Sequence, residues 1–161
     1  MALILFFTLL LPAACGFSPL YGTHADNAVK YHLDAVAIGN IPDREGQYLR
    51  NALIDRFYEH GRPADPQYTL NVEKIQERIR DLDVTKSATA TRAQLRLETK
   101  ITLTDAKTGE TLLGQKLQTI TSYNILQSRF TTRVSEEDAR RSALDDLARQ
   151  IEQQLALYFN K

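Results

Sequence analysis

Residues 92–103 constrain the fold more than any other stretch of the chain. Ala93, Leu95, Leu97, Thr99, Ile101 and Leu103 recur at every second position, and Arg92, Gln94, Arg96, Glu98 and Lys100 fill the places between. Successive side chains of an extended chain point to opposite faces, so a period of two sorts these residues onto one apolar and one charged face. Such a strand belongs in an antiparallel sheet that is packed on one side and wet on the other. The strand is expected over residues 88–104. Residues 105–109 form a turn by composition. Residues 110–124 then return as its partner, presenting Leu113, Leu117 and Tyr123, with Ile120 out of phase.

The rest of the chain is read around this hairpin. Residues 17–31 carry Pro19, Gly22, Asp26 and Asn27 without sustained periodicity. They read as a tether that spans at most about 3.5 Å per residue. A first strand is expected over residues 33–41, with Val36 and Ile38 as its apolar face and Pro42 as its stop. Asp43 is a suitable N-cap for a helix to about residue 60. Leu49, Leu53 and Phe57, with Ala52 between them, form its core stripe. Gly46 weakens its first turn, and Gly61 and Pro63 close it. A second strand begins near residue 66 with Tyr68, Leu70 and Val72. Its alternation slips at Lys74 and Ile75, which predicts a bulge or a twist. Residues 77–86 are charged and read as a connection.

A polar loop over residues 125–134 leads to Ser135-Glu136-Glu137-Asp138, a capping-box signal. The helix that follows places Leu144, Leu147, Ala148, Ile151, Leu155 and Tyr158 on one face, with Arg140, Arg141, Asp145, Arg149 and Glu152 opposite. The fold class that results is α+β. It is a four-stranded, mostly antiparallel sheet with two helices packed on one face, in the order β-α-β-β-β-α. Residues 32–161 make one domain of that kind.

Lengths add an expectation about shape. A strand over residues 88–104 measures about 55 Å, whereas the last helix reaches only about 35 Å. Part of the hairpin should therefore project beyond its helical cover. In an antiparallel meander the second connection and the exit of the fourth strand share one end. That end collects Arg78, Arg80, Lys86, Arg129 and Arg133. Forked guanidinium groups suit a polyanionic lipid headgroup, although Asp81 and Asp83 dilute the cluster. The cations on the open strand face have a second reading, as groups that solubilise the sheet and pair with Glu98.

The start of the chain points to the cell envelope. Residues 2–11 are apolar apart from Thr8, a run too short to span a bilayer. It ends in small residues that abut Cys15, the only cysteine. This is the pattern of a signal peptide over residues 1–14, with Cys15 as the point of lipid attachment and residues 15–31 as a lipid-anchored tether. Pro12 stands where the usual lipobox has Leu. No Lys or Arg precedes the apolar run, so an upstream start codon is an expectation of this reading. The alternative is a plain signal peptide followed by a chance cysteine.

Several segments together resemble a known family. They are Cys15-Gly16-Phe17 with Pro19-Leu20-Tyr21-Gly22, Asp43-Arg44-Glu45-Gly46-Gln47 with Leu49-Arg50-Asn51, Ser122-Tyr123-Asn124, and Glu137-Asp138-Ala139. The chain resembles the lipopolysaccharide-assembly lipoproteins of the LptE family, in their alphaproteobacterial form. The resemblance implies a non-enzymatic lipoprotein on the periplasmic side of the outer membrane. Its partner would be an LptD-like β-barrel translocon, which such proteins help to assemble and plug. Lipopolysaccharide would be a second ligand, for which Arg78, Arg80, Lys86, Arg129 and Arg133 are the candidate residues.

Other function classes find little support in the residues. Twenty Lys and Arg balance twenty Asp and Glu, so no general attraction to nucleic acid is implied. His24, His32 and His60 are scattered without ligand spacing, and no cofactor is expected. No nucleophile elbow, phosphate loop or paired carboxylate suggests catalysis; Asp81 and Asp83 read as a solvated turn. The competing description is an envelope lipoprotein that serves as an unrelated periplasmic binding module or, less readily, as an enzyme.

Overall fold

A computed structural model describes residues 25–59, 61–82 and 91–160. Cys15, Lys86 and Asp83 lie outside the described residues, as do the first positions expected for the long strand. The elements in chain order are α1 (Ala25–Asp34), β1 (Val36–Ile38), α2 (Asp43–Phe57), β2 (Tyr68–Val72), β3 (Gln76–Asp81), β4 (Arg92–Asp105), β5 (Thr111–Asn124) and α3 (Arg129–Phe159).

The α+β architecture is as expected, with five strands in place of four and three helices in place of two. β4 lies at the centre and pairs antiparallel with β5 along one edge. Along its other edge β2 and β3 follow one another, both antiparallel to β4. The fifth strand comes from the slip at Lys74 and Ile75. Val72 faces Ile101 and Gln76 faces Glu98, so three residues on one side oppose two on the other. That is a β-bulge. Its backbone stays satisfied, since Glu73 N donates to Lys100 O at 2.9 Å and Thr99 Oγ1 donates to Glu73 O at 2.7 Å. Beyond the bulge the charged stretch read as a connection is β3, all six residues of which are exposed.

β1 is a three-residue strand parallel to β2, shorter than the nine positions from 33 to 41 suggested. Arg50 of α2 ends it by donating to the carbonyls of Gly39 at 3.0 Å and Ile38 at 3.3 Å. Before it, the stretch read as tether up to residue 31 is helical from Ala25. α1 is held by Val29 and Leu33, both buried. Two apolar residues four apart are too few for a helical period to show against the polar background.

The core lies between one face of the sheet and the helices. Leu95, Leu97, Ile101 and Leu103 of β4 meet Leu49, Leu53 and Phe57 of α2 and Leu144, Leu147, Ile151 and Leu155 of α3 in one buried cluster. α2 begins differently from expectation. Pro42 occupies the cap position with no side-chain cap bond. Asp43 takes a left-handed φ of 67° and pairs with Lys74 of the bulge at 2.8 Å. Gly46 is required by contact, because a Cβ there would lie 2.7 Å from the Ile41 carbonyl oxygen. Its low helix propensity is offset by a close approach of backbones.

The projecting hairpin is also corrected. α3 has 31 residues, about 46 Å at 1.5 Å per residue. β4 has 14, also about 46 Å. The helix starts at Arg129 with Ser128 at its cap, seven positions before the capping-box serine. The Thr132 hydroxyl organises this start, accepting from Leu126 N at 2.9 Å and approaching Leu126 O and Ser128 O at 3.1 Å each. The helix is thus as long as the strand it covers, and the core face of β4 is buried from Ala93 to Leu103.

Candidate functional site

The expected basic end exists, but the sheet divides it. Leu82 N donates to Arg92 O, and Ile125 N donates to Thr91 O. The exit of β3, the entry of β4 and the exit of β5 therefore lie together. Side-chain alternation then separates the cations. Arg78 and Arg80 stand opposite Arg96 and Gln94, on the face of β4 away from the helices. Arg129 and Arg133 belong to α3, on the other face. Lys86 lies outside the described residues.

Arg78, Arg80, Gln94 and Arg96 line an open cleft of about 360 Å³. Arg78 directly faces Arg96, an arrangement that costs stability unless an anion or solvent screens it. Glu98 answers one of the two, at 3.5 Å from Arg96. On the helix side a groove of about 630 Å³ opens between the start of α2 and the first turns of α3. Arg129 and Arg133 line it with Leu126 and Ile125. Among the described residues, neither arginine has a carboxylate partner within 4 Å, unlike Arg140 deeper in the same groove.

Arg140, which the sequence reading set opposite the apolar face of its helix, is instead drawn into the structure. Its side chain is only 13% exposed. It donates through Nε to Glu77 Oε2 at 2.7 Å, through Nη2 to Glu77 Oε1 at 2.8 Å, and through Nη2 to Glu136 at 2.6 Å. Glu137 lies 3.5 Å away and also reaches Arg44. The bonds to Glu77 hold the Arg140 proton more tightly than in a free guanidinium. Forked pairing of this kind fixes orientation as well as charge. Glu77 projects to the helix side of β3, between Arg78 and its neighbours, so the clamp ties the β3 edge to α3. The spacing of Glu136 and Arg140, four apart on a helix, was the available signal; Glu77 could not be foreseen.

An apolar stripe borders the free arginines. Phe130 is 76% exposed, and Leu126 and Val134 are also exposed. Phe130, Val134, Arg133 and Arg141 line a second shallow hollow beside the groove. A surface with bare cations next to exposed apolar side chains suits an anionic amphiphile or a protein partner better than a small polar substrate. Among the described residues, no three His, Cys, Asp or Glu side chains gather as a metal site requires. No described helix is long and apolar enough to cross a membrane.

Comparison with known proteins gives this geometry a context. Among solved structures, a chain described as a lipoprotein from Caulobacter crescentus CB15 superposes with a TM-score of 0.64 at 19% identity, over 83% of this chain and 96% of that one. A minor lipoprotein from Acinetobacter baumannii gives 0.57 at 23% identity, over 76% and 90%. The rare lipoprotein B from Shewanella oneidensis gives 0.59 at 11% identity, over 75% and 91%. At these identities the likeness is one of fold. No curated protein matches the chain. The family model for lipopolysaccharide assembly, LptE, matches residues 33–155, from the end of α1 to the last buried turns of α3, and the chain belongs to that family.

Proposed function

We propose that this protein is an outer-membrane lipoprotein, anchored through Cys15, that helps assemble and then plugs the β-barrel translocon delivering lipopolysaccharide to the cell surface. The family match over residues 33–155 carries the reading. The physical character of the domain supports it. Its open sheet face is charged and polar, as a body lodged in the water-filled lumen of a barrel needs to be. The charged sheet face and the groove at the start of α3 are surfaces of the kind that assembly uses.

The basic, apolar end supports the second half of the reading. Arg129 and Arg133 offer charge-assisted hydrogen bonds to phosphate groups, and Leu126 and Phe130 offer apolar contact to chains attached to them. Arg78 and Arg80, on the other face of the same end, would meet a different part of a large polyanionic headgroup. The test is biochemical. Tagged full-length protein, extracted from membranes, should bring down a large β-barrel, and its depletion should lower both correctly assembled barrel and surface lipopolysaccharide. Wild-type levels of both after depletion, with no barrel recovered, would overturn the reading.

A further inference from the structure

The open face of the sheet carries two pairings that folding alone disfavours. Arg78 stands opposite Arg96 across β3 and β4, and Lys100 stands opposite Lys116 across β4 and β5. Like charges directly opposite one another cost stability. A sheet face made soluble by charge needs no such pairs, since a cation opposite an anion solubilises as well. The first pair belongs to the basic end. The second lies midway along the sheet, about 13 Å further down β4.

The lysine pair occupies the closer kind of site. Ile125 N donates to Thr91 O at 3.0 Å, and antiparallel hydrogen bonding alternates along a strand. In the register of β4 and β5, Lys100 and Lys116 therefore face each other as a non-hydrogen-bonded pair, with Cα atoms about 4.5 Å apart. Both are exposed. Glu73 of the bulge answers Lys100 at 3.6 Å. Among the described residues, no carboxylate lies within 4.0 Å of the Lys116 ammonium.

The neighbours define which anion fits. Around the pair the outward residues are Glu98, Thr102, Gly114 and Gln118. No atom lies within 4 Å of where a Cβ on Gly114 would stand. Ile120, the exposed apolar residue of β5, stands opposite Arg96 instead. The surface about the lysines is thus flat and polar. A lipid brings apolar chains with its phosphate, and the apolar contact for those lies on the other face, with Leu126 and Phe130. Ammonium groups are compact point charges without the planar fork that grips phosphate at two oxygens. A carboxylate set between the two would turn a repelling pair into a bridged one.

We propose that Lys100 and Lys116 form a docking point for a carboxylate-bearing protein surface, the polar inner wall of the barrel. This inference rests on the barrel reading and names the chemistry of that contact.

Full-length, lipid-anchored protein recovered from membranes with the barrel tests it. Zero-length carbodiimide coupling joins an amine to a carboxylate only where the two touch. Lys116 should be found joined to an Asp or Glu of the barrel, and Lys100 to the barrel or to Glu73 of its own chain. Lys116→Glu sets opposite charges across the pair. It should raise the unfolding temperature of the purified chain and yet lower recovery of the barrel about tenfold at physiological ionic strength. A change that merely disturbed the fold would lower both. Binding of purified lipopolysaccharide should stay the same. Lys116→Arg keeps the charge, so recovery should persist while the coupling is lost. Undiminished barrel with Lys116→Glu, coupling of Lys116 only within its own chain, or a loss of lipopolysaccharide binding in place of barrel would each overturn the inference and leave the barrel reading standing. A native chain that recovers no barrel would overturn both.

Discussion

At the end of the sheet where β4 turns into β5, Phe159 stacks on His32 at 4.9 Å and leans on Tyr68 at 5.0 Å. At the other end, where β5 gives way to α3, Phe130 projects into solvent and Leu126 and Val134 are exposed beside it. One helix supplies both phenylalanines. Its last turns pack into the core, whereas its first ten residues precede Ala139, the first of its side chains to be buried. Leaving a large apolar side chain in water forgoes about 2 kcal/mol of burial. The helix extends past what folding uses, and its far end is available for contact. The difference teaches that one end stabilises the domain and the other presents it.

The largest test falls where the two regimes meet. Arg140→Ala leaves Glu77 and Glu136 without their shared cation in a half-buried place and should cost about 3 kcal/mol. Arg141→Ala, one residue along and exposed, should stay within about 0.5 kcal/mol. Equal shifts of the two in thermal unfolding would show that the clamp between β3 and α3 adds nothing to stability.

Next comes the direct exchange of phenylalanines. Phe159→Ala should lower stability by about 2 kcal/mol, less than a fully buried ring would lose. Phe130→Ala should leave the unfolding midpoint in denaturant nearly unchanged. Matching losses would abolish the contrast.

A third experiment sharpens the comparison through binding. Arg129→Glu with Arg133→Glu should weaken lipopolysaccharide binding by about tenfold, or about 1.4 kcal/mol, at unchanged unfolding temperature. The effect should shrink at high salt, as exposed charges are screened. Arg78→Glu with Arg80→Glu reports separately on the other face. Unaltered affinity in both folded double mutants would remove the basic end from the proposed function.

The smallest effect is one of pH at the closed end. The Asp105 carboxylate accepts from the backbone amides of Thr108 at 2.8 Å and Lys107 at 2.9 Å, which hold its pKa below the usual range. A depressed folded-state pKa stabilises the fold above the unfolded value, near 3.9, and that contribution is lost as pH falls through the folded value. Unfolding temperature should decline less on acidification in Asp105→Asn than in the native chain. Parallel declines would mean that the turn carries no such linkage.

Much of this architecture was legible because it rests on periodicity. The one-sided β4, the core stripe of α2 and the buried face of α3 each repeat often enough for the period to be read from the residues alone. The slip at Lys74 and Ile75 was legible too, since a bulge shifts the alternation by one. The basic end was legible as a place, because antiparallel connectivity decides which connections share an end. Its division was not: Arg78 and Arg129 fall on different faces because β3 is a strand, and its charged residues disguised it as a loop.

By itself, then, the sequence determined the sheet-and-helix architecture, the identity of the packed faces and the clustering of connections at one end. These follow from local chemistry, namely alternation of two, spacing of three and four, and turn residues. Only the tertiary structure decided what depended on neighbours distant in the chain. It turned Gly46 from a weak helix residue into a required one, because Ile41 lies against it. It gave Arg140 its partner on β3. It also extended α3 to the length of β4, since the polar turns that carry Phe130 have no periodic signature and are held at their root by Thr132. Contacts of this kind are set by which surfaces meet, and that is fixed only when the sheet, the bulge and the helices close on one core.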